Sequence, residues 1–92
     1  MVFVLNKCYG GFSLSPFAVD HLGVSDPYED LSSLQIDALA ALIAEYGSEK
    51  CSGSHAKLKV VEVPDTITDW MVQDYDGLEV LTYVLDGKLH QA

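Results

Sequence analysis

Hydrophobic and polar positions change their period several times along the chain, and each change marks an element. Residues 2–9, VFVLNKCY, are rich in β-branched and aromatic side chains and predict a first strand. The pair Gly10–Gly11 ends it. In SLSPFAVDHLG, Ser15 stands where a helix cap is needed, Pro16 at the first helical position and Gly23 just past the last turn. That asymmetry predicts a short helix over 16–22. Residues 24–30, VSDPYED, read as a polar link, with Asp26 biased away from helix by Pro27. Over 31–46 the apolar period becomes helical. Steps of 100° bring Ile36, Leu39, Leu42, Ile43 and Tyr46 onto one arc of roughly 120°. Asp37, Ala40, Ala41, Ala44 and Glu45 lie opposite, and Gly47 supplies the stop. The large face is expected to pack on a sheet. The alanine-rich back either meets solvent or lets a subunit or partner approach closely.

Beyond a Gly/Ser-rich loop at 47–56, the period shortens to two. KLKVVEV, 57–63, predicts a strand whose alternation breaks at Val60–Val61, from a bulge or from burial on both faces. Pro64 and Asp65 end it. Residues 67–75 and 78–85 flank Asp76–Gly77, the sequence of a hairpin with a primed turn, and Asp86–Gly87 turns into a short last strand, KLH. The 78–85 strand is apolar on both sides and is expected to be central. The expected fold is a single α+β domain over 1–92 in the order β-α-α-β-β-β. Two helices pack on a mostly antiparallel sheet of about four strands.

Composition narrows the function classes. A chain of 92 residues buries only about 60–65% of its unfolded surface, yet 49% of this one is hydrophobic. Either the core is efficient or apolar surface is covered by another subunit in a homo-oligomer. No apolar run approaches the ~20 residues that span a bilayer. MVFVLNK has no basic region ahead of its apolar residues and does not read as a signal peptide, so a cytoplasmic protein is expected. Fourteen acids against five lysines, with no arginine, give a net charge of −9. Such a chain is a poor ligand for nucleic acid and is repelled by anionic membranes. Basic or neutral protein surfaces are the partners it suits.

Candidate chemistry is sparse. Lys7, Tyr9, Gly10, Gly11 and Phe12 make a strand–glycine–helix turn that resembles a phosphate cradle in layout only, because the full glycine-rich patterns are missing. The turn either holds a small ligand or serves the fold by letting Phe12 drop into the core. Cys51 and His55 are four apart, with Cys8 and His21 elsewhere, and zinc would need four such groups to converge. No metal or cofactor is expected, no nucleophile is marked, and both cysteines are expected as reduced thiols, Cys8 as a small core residue. The acidic run is the distinctive feature. Glu62, Asp65, Asp69, Asp74, Asp76 and Glu79 place six carboxylates in eighteen residues without a lysine. Asp74 and Asp76, two apart, would share a strand face. With Trp70 and Tyr75 beside them, Asp69, Asp74, Asp76 and Glu79 form the candidate partner-binding set. Solvated edge-strand charge that blocks aggregation, and paired carboxylates for acid–base work or cation binding, are the other readings of the same residues.

NKCYGGFSLS, SGSHAKLKVVEVPD and DYDGLEV, in that order, resemble a group of small tailed-bacteriophage proteins. Those show a C-Y-G-G-F strand, an L-S helix start, a helix ending in glycine, an L-K-V-V-E-I-P-like strand and a Y-D-G turn. Many carry basic residues where this chain has DPYEDLSS. The resemblance covers most of the chain and transfers no catalytic residues. It implies an accessory protein acting in the infected bacterial cell. Joined to the charge, it gives the expected function: a non-enzymatic protein that binds and inhibits a host protein, with antiviral defence and mimicry of the DNA backbone as special cases. The alternative is an oligomeric sponge or sensor for a nucleotide or other small molecule at the Gly10–Gly11 turn.

Overall fold

The computed structural model describes residues 1–28 and 30–92. Eight elements follow in the order β1 (Val2–Asn6), α1 (Pro16–Leu22), α2 (Ser33–Tyr46), α3 (Ser48–Cys51), β2 (Leu58–Glu62), β3 (Asp69–Tyr75), β4 (Leu78–Leu85) and β5 (Lys88–Gln91). The α+β class and the element types match the sequence pattern. Helix α1 has the expected bounds because its cap is local. Ser15 Oγ accepts the Ala18 N–H at 3.1 Å, and Gly23 closes the end at φ 68°. Helix α2 starts two residues later than its apolar pattern. Ser32 and Gln35 form a reciprocal capping box there, each side chain taking the other's backbone N–H. One added element is α3, inside the expected loop. Its Ser48 hydroxyl donates to the Leu58 carbonyl, and the Ser52 hydroxyl just beyond it accepts the Leu58 N–H at 2.9 Å.

The strands divide between two antiparallel sheets rather than forming one: β1–β2, and β3–β4–β5 with β4 central. The double-apolar pattern of β2 explains the arrangement. Its pairing with β1 runs without a bulge from Glu62 to Leu58. Leu58 and Val60 pack with Val4 against the helices, around Leu39, Ala18 and Cys51. Val61 and Val63 pack with Phe3 and Leu5 against Leu81 and Tyr83 of the second sheet. The β1–β2 ribbon is therefore the middle of three layers, buried on both faces, with helices on one side and the β3–β5 sheet on the other. Its strands alternate between two cores, so both side-chain sets are mainly apolar, with Asn6, Lys59 and Glu62 as the polar members.

Close backbone approaches join the layers at one end. A Cβ built on Gly10 would lie 1.6 Å from the His55 carbonyl oxygen, and one on Gly77 would lie 2.3 Å from the Gly11 nitrogen. Gly10 is thus a glycine of contact, whereas Gly11, at φ 91°, is one of conformation. Phe12 then turns back onto the helical core.

Candidate functional site

The junction between the layers is built on buried Asn6, whose side chain is fully enclosed. Its Nδ2 donates to the Cys8 carbonyl at 2.8 Å and the Gly77 carbonyl at 2.6 Å. Its Oδ1 accepts the Lys57 N–H at 2.8 Å. One side chain thereby ties β1, the residue ahead of β2 and the β3–β4 turn. The Asn6 backbone N–H donates to Glu79 Oε1 at 2.7 Å, and Lys7 Nζ donates to the Glu79 and Ala92 carbonyls. Burial pushes the Glu79 carboxyl above the usual range, with Asp74 adding to it, while the Asn6 N–H and Lys7 charge oppose the shift. Lys7 is held below the usual lysine value by its own burial and by the Lys59 charge, against the pull of Glu79.

Away from this junction a cleft of about 710 Å³ opens between the helical half and the β3–β4 hairpin. Trp70, Val72 and Glu79 line one wall. Ile36, Asp30 and Asp37 line the other, and residues 1–5 form the floor. A smaller cavity of about 240 Å³ shares Val4, Asp30, Leu31, Ile36 and Glu79 with it and reaches Tyr28. Trp70 meets Phe3 edge-on with ring centroids 4.9 Å apart and remains 48% exposed. Three carboxylates face this space, and no lysine is among the described residues lining it. Among the described residues, the nearby ammonium groups are engaged: that of Met1 with Asp65 and the Val63 carbonyl, and that of Lys7 with the Glu79 and Ala92 carbonyls.

The edge of β1 also faces the cleft. Lys7 N–H bonds the Lys57 carbonyl and Val63 N–H bonds the Met1 carbonyl, so the odd residues of β1 pair with β2. Antiparallel alternation turns the amides of Val2 and Val4 the other way.

The sequence-derived partner set divides between two faces. Pairing of Trp70 with Tyr83, Val72 with Leu81 and Asp74 with Glu79 places Trp70, Asp74 and Glu79 on the inner face. Asp69 and Tyr75 lie on the outer face. Asp76 does not share a face with Asp74. It sits in the turn at φ 54°, followed by Gly77 at φ 94°, and Asp74 Oδ1 accepts the Gly77 N–H at 2.6 Å. Asp74 therefore serves the turn. Asp30 and Asp37 were not singled out from sequence, because the helix start meets the hairpin only through the fold.

The ligand-turn residues are engaged by the protein itself. Lys7 donates to two carbonyls, Gly10 and Gly11 pack on His55 and Gly77, Phe12 covers the helical core, and only the Tyr9 ring stands well out at 72% exposure. The cysteine expectation needs correcting in one respect. Cys51 is the fully buried core residue, its thiol pushed up by burial, whereas Cys8 is half-buried and its Sγ lies 3.1 Å from the His55 carbonyl oxygen. Both are free thiols. Among the described residues no group of three or more His, Cys, Asp or Glu side chains is placed to hold a metal ion. No described helix is long and apolar enough to cross a membrane. No family model matches the chain, and neither a curated protein nor a solved structure shows significant similarity to it.

Proposed function

We propose that the protein acts by binding, without catalysis, and that it holds a basic segment of another protein in the cleft between β1 and the β3–β4 hairpin. The observation that carries this is the cleft lining: carboxylates of Asp30, Asp37 and Glu79 around an exposed Trp70, with no lysine among the described residues there. An ammonium or guanidinium entering this space meets three carboxylate side chains and an aromatic face, features that hold a cation well. The amides of Val2 and Val4, which have no partner among the described residues, add main-chain donors for an extended segment. Taken with the tailed-phage resemblance, this makes the protein an accessory factor that occupies a host protein, within the cytoplasm of the infected bacterium.

A tagged pull-down from bacterial host lysate, washed at low and high salt, tests the reading. One protein retained at low salt and released at high salt is expected. Its capture should fall at least tenfold with the combined change Asp30→Asn, Asp37→Asn and Glu79→Gln, in which glutamine keeps an acceptor for Asn6. Capture that survives the triple change sinks the cleft as the binding site. A DNA-binding protein among the captured species, displaced by duplex DNA, would identify backbone mimicry.

A further inference from the structure

The β3–β5 sheet has a second face that the fold leaves without a cover. Its inner face packs on Phe3, Leu5, Val61 and Val63. The register puts Met71, Leu78, Val80, Val84 and Leu89 on the other side. None of these packs against either buried core cluster. Met71 is 55% and Leu89 73% exposed, and no described helix packs on this sheet. Sheets with an apolar face normally bury it against another layer. The β1–β2 ribbon has α2 in that role, and the β3–β5 sheet has no equivalent.

We propose that this outer face docks an amphipathic helix with basic flanks, supplied by a partner protein. Size and charge select this occupant. The seven paired positions from Asp69 to Tyr75 span about 24 Å at ~3.4 Å per residue, and where β5 pairs with residues 82–85 three strands at ~4.8 Å spacing are about 10 Å across. A helix of about 16 residues has that length, and its diameter matches the three-stranded end. Carboxylates stand at both ends of the face, Asp76 in the β3–β4 turn and Asp69 with Asp86 at the opposite end. They would repel an identical rim and attract lysines placed near each end of a helix. The strand interior between them carries only uncharged side chains on this face: Met71, Gln73, Leu78, Val80, Thr82 and Val84.

The test uses the full chain, isotope-labelled, titrated with three designed 16-residue peptides. The first has leucines at i, i+3, i+4 and i+7 spacing with lysine flanks. The second has the same composition in strict alternation, and the third carries glutamate flanks. The first should shift the amide and methyl signals of Met71, Val80, Val84 and Leu89 and gain helicity on binding. The glutamate version should bind at least tenfold more weakly, as should the first peptide to a Met71→Ser, Leu89→Ser variant. Both substituted positions are exposed, and unchanged amide signals elsewhere would show that the variant folds. Equal or tighter binding of the alternating peptide overturns the proposal in favour of an extended ligand. Shifts confined to Trp70 and the cleft overturn it while leaving the cleft reading intact. Concentration-dependent self-association through Met71 and Leu89 would assign the face to a second copy instead.

Discussion

Replacing Asn6 probes the junction that holds the hairpin in place. The change Asn6→Ala deletes the bonds to the Cys8 and Gly77 carbonyls and to the Lys57 N–H, in a site closed to water. At about 1 kcal/mol net for each of three bonds, the loss is about 3 kcal/mol. That is a large share of the about 5–14 kcal/mol a domain of this length holds. The change Asn6→Asp keeps the shape and should be worse at neutral pH. A carboxylate oxygen would replace Nδ2 and face two carbonyls, leaving an unpaired buried charge whose cost exceeds about 4 kcal/mol. Acidification protonates that carboxyl and should recover part of the loss. Urea unfolding followed by circular dichroism and by Trp70 fluorescence measures both variants at pH 7.5 and pH 4.5. The expected order at pH 7.5 is wild type, alanine, aspartate. If the aspartate variant equals or exceeds the alanine one there, Asn6 is filling space, and its role as the hydrogen-bonded tie is refuted.

Three further outcomes follow from local geometry. Gly10→Ala should destabilise by more than about 2 kcal/mol, read from the urea midpoint, because its Cβ would fall 1.6 Å from the His55 carbonyl oxygen and backbone must move. Glu79 is raised by burial, so its folded-state pKa lies above the unfolded one and the native state binds a proton more tightly across that window. Stability is lost as pH rises through the window and regained as pH falls. Glu79→Gln should therefore gain on wild type at pH 7 relative to pH 4, in paired urea curves; a constant difference would contradict the assignment. Thr82 Oγ1 is buried without a partner among the described residues, so Thr82→Val should raise the thermal midpoint, by about 1 kcal/mol in equivalent free energy. A fall would mean that the hydroxyl is bonded in solution.

The sequence by itself determined what neighbouring residues control. Ser15, Pro16 and Gly23 specify α1 to the residue, since capping and the left-handed end need only four or five positions of context. Asp76–Gly77 and Asp86–Gly87 specify two tight turns through their positive φ. The break at Val60–Val61 left a bulge or burial on both faces open, and the unbroken register with the two cores around the β1–β2 ribbon decides for burial. Tertiary structure decided how the strands are shared out. A strand apolar on both sides has the same pattern in the middle of a wide sheet as in a ribbon between layers, so local periodicity does not separate one four-stranded sheet from two stacked ones. In β4, the apolar outer face signalled a burial that this fold supplies only in part. Only the chain's return also brought Asp30 and Asp37 across from Trp70 and Glu79. These residues lie more than thirty positions apart, and what joins them is the packing of one layer on another, which no short-range pattern encodes.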